Sequence, residues 1–370
     1  MSSVSSAKPE WRSLRAVTDL SIRAPQAWLG AGGLTPDVQI DLDGGVIAAV
    51  GRVHPVPDDV QVVAADGIVM PAAADRHVHI ELADPAAVLA GGVTAVRDLG
   101  WPADRIFPLA DLSELPTFEG PLIRAAGPML TVRDGYPTRA AWAPQGTGRE
   151  LADPDEAAAA VRELAGSGAT AIKVSLNAEA GPVVSDAVLA AICDTAHEVE
   201  LPATAHAQGA GQVERALGAG VDELAHTPWT HRLSDDVVAR CAASLRIVST
   251  LDILSFGRDT PEIRTAVDNL RRFHDTGGTV IYGTDLGNGP IPSGIDLREL
   301  RLLLDAGLTY DEILRAMTRA PIEPGAPADL IVVDGDPLTD LGAFERITMV
   351  VRAGRIAASE RIGTARRPDG

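Results

Sequence analysis

The stretch Val69-Met70-Pro71-Ala72-Ala73-Ala74-Asp75-Arg76-His77-Val78-His79 decides how the rest of this chain is read. An apolar run of strand length, Val69–Asp75, leads into two histidines spaced two apart. In an extended chain, residues at i and i+2 point to the same side, so both imidazoles can face one point beyond the strand end. Downstream, short apolar runs alternate with stretches of helical period as far as about Ala320. The further strand candidates are Thr94–Leu99, Leu122–Ala126, Ala171–Leu176, Ala203–His206, Glu223–His226, Arg246–Thr250 and Thr279–Gly283. Helices are expected at Asp155–Ala165, Ser185–Glu198, Ala210–Ala219, Asp235–Ala243 and Pro261–Asp275. Several are introduced by Ser, Thr or Asp caps and closed at Gly166, Gly218 and Gly277. Eight strand–helix alternations predict an α/β fold, a (β/α)8 TIM barrel over residues 71–324.

Upstream of Met70 the texture is short β-type runs broken by Gly and Pro, such as Gly45-Val-Ile-Ala-Ala-Val. The same texture returns at Ala328-Asp-Leu-Ile-Val-Val-Asp and Ile347-Thr-Met-Val-Val-Arg. Residues 12–70 and 325–360 are therefore expected to meet in one small β-sandwich domain, with residues 1–11 and 361–370 as flexible tails.

In such a barrel, chemistry gathers at the C-terminal ends of the strands. The first strand delivers His77 and His79, the fourth Lys173 within Ala171-Ile-Lys-Val, the fifth His206, the sixth His226 and the eighth Asp285. Imidazole and carboxylate suit Zn²⁺ and related divalent cations. An ammonium beside two dications is strongly disfavoured, so Lys173 must be neutral or modified. Carboxylation by CO₂ would make it a carbamate whose two oxygens could bridge a metal pair. Asp98, at the end of the second strand, reads as a structural hydrogen-bonding partner. The long irregular loop Gly127–Gly148 offers Arg133 and Tyr136 as substrate contacts, and His231 is a third candidate beside the sixth strand. His54, His197 and His274 read as structural.

At these residues the chain resembles the amidohydrolase superfamily over almost its whole length. Met70-Pro-Ala-Ala-Ala-Asp-Arg-His-Val-His is similar to that family's first-strand signature, Pro-Gly-hydrophobic-x-Asp-x-His-x-His, with Ala72 at the glycine position. Gly92-Val-Thr-Ala-Val-Arg-Asp-Leu-Gly, Ile172-Lys-Val, Thr204-Ala-His-Ala, Gly283-Thr-Asp-Leu-Gly and Ala328-Asp-Leu-Ile-Val-Val-Asp-Gly-Asp-Pro look like its prolidase-like and imidazolonepropionase-like branch. The resemblance implies two divalent metals, zinc by default. His77 and His79 would hold one together with Asp285, His206 and His226 would hold the other, and carboxylated Lys173 would bridge them.

A water activated by those metals would attack a carbonyl, with Asp285 carrying its proton to the leaving amine. The expected activity is hydrolysis of an amide or peptide C–N bond. The substrate would be a dipeptide, an N-acyl amino acid or a modified natural-product peptide. The last arises because the links Asp252–Gly278 and beyond Leu308 look short, which would leave an open mouth. Two other readings stand beside this one: a one-metal deaminase or cyclic amide/amidine hydrolase acting on a heterocycle, and a catalytically silent barrel used as a binding scaffold.

Composition sets outer bounds. The 370 residues carry 51 acidic against 32 basic side chains, a net charge of −19. No Lys/Arg cluster offers a surface for nucleic acid or anionic membrane, so neither is an expected partner. A small-molecule or peptide substrate is expected, and a homo-oligomer is allowed. No signal-peptide pattern or apolar run of membrane-spanning length is visible. Cys193 and Cys241 are the two cysteines, each read as a buried filler, and a reducing cytoplasm is the expected compartment.

Overall fold

The computed structural model describes residues 19–115 and 117–359. The expected tails, and the first residues of the expected β domain, lie outside them. The chain enters through β1 (Leu20–Ala27), β2 (Thr35–Asp43), β3 (Val46–Arg52), β4 (Gln61–Ala64) and β5 (Ile68–Pro71). β1 pairs antiparallel with β2, and its other edge takes β4 along one half and β5 along the other.

Next comes β6 (Ala73–Val78), which carries the His-x-His pair, followed by α1 (Pro85–Ala90), β7 (Val93–Asp98), α2 (Ala103–Ser113) and β8 (Leu122–Ala125). The run continues with β9 (Met129–Thr131), β10 (Gly148–Glu150), α3 (Pro154–Gly166), β11 (Ile172–Asn177), α4 (Asp186–Glu198), β12 (Ala203–Gln208), α5 (Gln212–Gly218) and β13 (Glu223–Leu224). It is completed by α6 (Asp235–Ser244), β14 (Arg246–Val248), α7 (Pro261–Asp275), β15 (Thr279–Ile281), α8 (Leu297–Asp305) and α9 (Tyr310–Met317).

Two sheets hold these strands, β6-β7-β8 and β10-β9-β11-β12-β13-β14-β15, and every pairing in both is parallel. Backbone hydrogen bonds cross both gaps between the sheets. Thr170 N donates to Ala125 O at 2.8 Å on one side. On the other, Arg76 N donates to Tyr282 O at 3.1 Å and His79 N to Leu286 O at 2.7 Å. Strands buried on both faces read as continuous apolar runs, and all six residues of β11 are buried, Lys173 among them. The helices lie between strands and start where their caps predict. Asp153, Ser185, Ser234 and Thr260 each accept a backbone N–H from the first turn. Of the three expected glycine stops, Gly277 takes the left-handed conformation at φ +90°. After α3 and α5 that conformation falls two residues later than expected, on Gly168 and Gly220.

The region Gly127–Gly148 is less irregular than its sequence suggests. It starts on β9 and ends at β10, which pair with each other in parallel. β9 also meets β11, so the third strand is broken after Ala125 and resumes at Met129. Three-residue strands are too short to leave a period in sequence.

The chain closes with β16 (Leu330–Val333), β17 (Ile347–Arg352) and β18 (Arg355–Ser359), which join the first strands in one eight-stranded sheet in the order β18-β17-β16-β5-β1-β2-β3, with β4 on β1. This sheet surrounds its own core of Leu20, Ile22, Ile40, Leu42, Val69, Leu330, Val332 and Val351. A larger core fills the parallel-strand region. Cys193 and Cys241 are buried and unpaired. Among the described residues, no helix is long and apolar enough to cross a membrane.

One core acid gives a pH prediction. Glu299 of α8 is fully buried and uses Oε2 to accept the N–H groups of Leu251 and Asp252 at 2.7 Å each. Burial pushes its pKa from 4.5 up to about 8. Because the folded value is the higher one, its contribution to stability is complete below pH 4.5. That contribution is lost as pH rises through 8, where the buried carboxyl is forced to ionise. Glu299→Gln keeps the acceptor oxygen and removes the titration. The variant should gain about 2 °C or more in Tm relative to the parent at pH 9, with a smaller difference at pH 5, measured by scanning calorimetry.

Candidate metal centre

His77 lies on β6 and His79 immediately follows it. Asp75, two residues upstream, is buried, and its Oδ1 accepts the N–H groups of His77 at 3.0 Å and Thr284 at 3.1 Å, while Oδ2 accepts the Thr284 hydroxyl. This carboxylate fastens the first strand end to the segment carrying Asp285. Gly283 makes the approach possible: a Cβ there would lie 2.4 Å from Val248 Cγ1 and 3.1 Å from His77 N. Asp285 itself adopts φ +61°, rare for a non-glycine residue, and its N–H donates to His77 O at 2.8 Å.

The two imidazoles are oriented from behind. His77 Nδ1 lies 2.8 Å from Ala225 O, and His79 Nδ1 lies 3.0 Å from Gly100 O. A carbonyl oxygen only accepts, so each Nδ1 carries a proton and Nε2 is the nitrogen turned toward the centre. Those Nε2 atoms lie 3.5 Å and 3.3 Å from Asp285 Oδ1. Burial holds the His77 pKa well below its ordinary value, so the His77–Asp285 approach is not an ion pair. It is part of a gathering of three donor groups whose ligand atoms all lie within 4.8 Å of one another, a set suited to a divalent cation.

A second pair sits beside the first. His206 Nδ1 and His226 Nε2 are 3.0 Å apart. Two nitrogens on one tetrahedral zinc, each bonded at about 2.0–2.1 Å, would be separated by ~3.4 Å. The observed spacing is close to that. Burial pushes His206 down to about 3 and His226 well below its ordinary value, so both rings are neutral. Each is flanked from behind: His206 Nε2 lies 3.1 Å from the Asn177 side-chain amide, and His226 Nδ1 lies 2.9 Å from Thr250 Oγ1. Thr250 adopts φ +40°, an outlier for a β-branched residue. The His77 and His226 ring centroids are 4.6 Å apart, which links the two groups.

Lys173 is fully buried, and its Nζ has no hydrogen-bond partner among the described residues. Burial pulls its pKa from 10.5 down to about 7, against the opposing pull of the Asp285 carboxylate. A stable ammonium would need acceptors around it. A neutral amine with a free lone pair does not, and it is the form that reacts with CO₂. The donor chemistry therefore fits a metal pair with a modified lysine.

Asp98 has the structural role expected of it, accepting the N–H groups of Ile80 at 2.9 Å and Gly100 at 3.1 Å. Of the three candidate substrate contacts, the structure brings in Tyr136. Its ring lies 5.0 Å from that of His206, and its hydroxyl accepts Trp142 Nε1–H at 3.2 Å. Burial first, then the Asp285 charge, raises its pKa well above the usual phenol value. Arg133 is exposed, with no ion-pair or hydrogen-bond partner among the described residues, and the His231 ring is partnered by Thr230 Oγ1. Among the described residues, no hydrogen bond, ion pair or ring contact joins either of them to the six.

The expected open mouth is not observed. Tyr136 covers His206, Trp142 lies 4.6 Å from His79, and of the six side chains only His226 is more than marginally exposed. Short links near the seventh and eighth strands do not open the centre, because the loop after β9 covers it. A 790 Å³ cavity lies elsewhere, between α7 and α8, and none of the six lines it. The supports Asn177 and Thr250 and the rings of Trp101 and Trp142 went unread in the sequence. None carries a local signal, and each is recognisable only through its neighbour in space.

The pattern of the Amidohydrolase family matches residues 68–357. No curated protein matches the chain. Among solved structures, a candidate prolidase from Bifidobacterium longum is 25% identical, with a TM-score of 0.79 over 92% of this chain and 95% of its own. A Xaa-Pro dipeptidase with bound methionine is 21% identical, with a TM-score of 0.78 over 91% and 99%. The ochratoxinase of A. niger is 19% identical, with a TM-score of 0.78 over 93% and 96%.

Proposed function

The chain belongs to the amidohydrolase family, and from that premise we propose that it is a two-metal hydrolase that cleaves an amide or peptide C–N bond with water. The observation that carries this reading is the convergence of His77, His79 and Asp285 beside the facing nitrogens of His206 and His226, with the unpartnered amine of Lys173 within electrostatic reach of Asp285. The proposed scaffold is a (β/α)8 TIM barrel over residues 71–324, supported by the hydrogen bonds that carry the parallel ladder across both sheet gaps. Residues 12–70 and 325–360 would form the small β domain.

In this reading His77, His79 and Asp285 would hold one cation and His206 and His226 the other, with carboxylated Lys173 as a ligand shared between them and zinc as the default metal. When bound, the metals supply a water of lowered pKa and a Lewis acid for the scissile carbonyl. Asp285 accepts the proton of the attacking water and returns it to the departing nitrogen, so that OH ends on the acyl carbon and H on the amine. Its carboxylate is held for this by the left-handed backbone at Asp285 and by Asn288 Nδ2, which donates to Oδ1 at 2.9 Å. Tyr136 and Trp142 restrict bulk water over the centre. Their position favours a compact substrate, such as a dipeptide or N-acyl amino acid, over a large modified peptide.

The test is a hydrolysis screen with Xaa-Pro dipeptides, N-acyl amino acids and cyclic amides. Turnover of at least one class is expected, lost on chelation and restored by Zn²⁺, Mn²⁺ or Co²⁺. Release of ammonia from a heterocycle by a metal-replete protein that cleaves no amide would favour the deaminase reading and reject this one.

A further inference from the structure

The chain is poor in aromatic residues, with five Trp, five Phe and three Tyr in 370, yet three of these thirteen gather over the six candidate ligands. Trp101 follows β7, and Tyr136 and Trp142 follow β9. The rings form a continuous roof: Trp101 and Trp142 lie 6.5 Å apart at 23°, Trp142 and Tyr136 6.3 Å apart, Trp142 is 4.6 Å from His79 and Tyr136 is 5.0 Å from His206. Trp101 is 2% exposed, and its indole N–H has no hydrogen-bond partner among the described residues. A buried donor left unmet is destabilising, so an acceptor on a bound molecule would relieve it. The guanidinium of Arg105 already lies 5.4 Å from the Trp101 ring centroid, which disfavours a cationic guest on the same ring.

We propose that this roof selects substrates that present a flat, uncharged ring, aromatic or heteroaromatic, joined directly or through one carbon to the scissile C–N group. The short reach follows from the geometry. Trp142 stands 4.6 Å from the His79 ring, whose Nε2 is 3.3 Å from Asp285 Oδ1, so a ring stacked on the roof lies beside the candidate ligands and is joined to the reacting carbon by a short link. Aromatic pairs prefer offset or edge-to-face contact and gain from it beyond their buried area. The proposal rests on the hydrolase reading for its mention of a scissile bond. The ring preference itself can be measured without turnover.

Benzoate, cyclohexanecarboxylate and acetate, all product-like and none cleavable, would be titrated calorimetrically into the purified, metal-containing protein. Benzoate should bind about tenfold or more tightly than acetate, and more tightly than cyclohexanecarboxylate, which matches it in bulk but lacks the π face. Trp142→Ala should bring benzoate to within about twofold of cyclohexanecarboxylate, and Trp142→Phe should restore the preference. Equal binding of the three acids, or a benzoate preference unchanged in Trp142→Ala, overturns the proposal. The two readings fail separately. Equal cleavage of N-acetyl and N-benzoyl amino acids with no binding preference removes the ring box and keeps the hydrolase. A strong benzoate preference in a protein that cleaves no amide does the reverse.

Discussion

Replacing His77 by alanine is expected to lower kcat/KM by about 1,000-fold or more, a loss of several kcal/mol of transition-state stabilisation, while thermal unfolding shifts only modestly. The imidazole is neutral, its Nδ1 proton is given to Ala225 O, and its Nε2 lone pair faces Asp285. On the proposed reading the substitution takes away one ligand from a group of three and would leave a site that holds its cation weakly. It also frees Ala225 O, at a net cost of about 1 kcal/mol for the lost hydrogen bond, too little to unfold a domain with this core. Steady-state kinetics, bound metal and melting temperature, measured together, check the prediction. Parental activity in a folded His77→Ala protein would contradict the ligand assignment.

Lys173→Ala is expected to have an effect of similar size through a different route. The parent amine is buried with no hydrogen-bond partner among the described residues, and burial pulls its pKa down to about 7, which favours the neutral, nucleophilic form. If it carries CO₂, ¹³C-bicarbonate should label the parent protein and give a carbamate resonance absent from the variant. The alanine variant should lose about 100-fold or more in kcat/KM, in line with removal of a group that holds both metals. It should also regain part of the loss when formate or acetate fills the vacated space with a carboxylate. The alternative, an unmodified lysine acting only through its charge, predicts no label and no rescue by small carboxylates. The two substitutions should be strongly non-additive, because each disables the same unit.

The sequence carried the parallel-strand region well because buried strands are continuous apolar runs, and an ionisable residue interrupting one is conspicuous. Lys173 within Ala171-Ile-Lys-Val, and His77 and His79 at i and i+2, are such interruptions, and all three are buried, the histidines at the end of β6 and Lys173 near the start of β11 rather than at its expected C-terminal end. The helices were legible from their caps, since Ser185, Ser234 and Thr260 declare a first turn locally. What was not legible depends on contacts remote in the chain. Thr250 supports His226 across 24 positions, and Trp142 covers His79 across a loop that reads as irregular. Two of its short segments, β9 and β10, become strands only by pairing with each other and with β11. Loop length also proved a poor guide to access. The links near the seventh and eighth strands look short, yet the centre is covered by aromatic side chains from the loop after β9.

The central claim is that six side chains from five separate stretches of chain hold two cations side by side. Anomalous diffraction from crystals of the metal-replete protein, collected above and below the zinc edge, tests it directly. The account predicts two strong peaks a few ångströms apart, one against His77, His79 and Asp285 and one against His206 and His226, with continuous density joining the tip of Lys173 to both. A single peak, or full occupancy elsewhere with these six side chains bare, would contradict it.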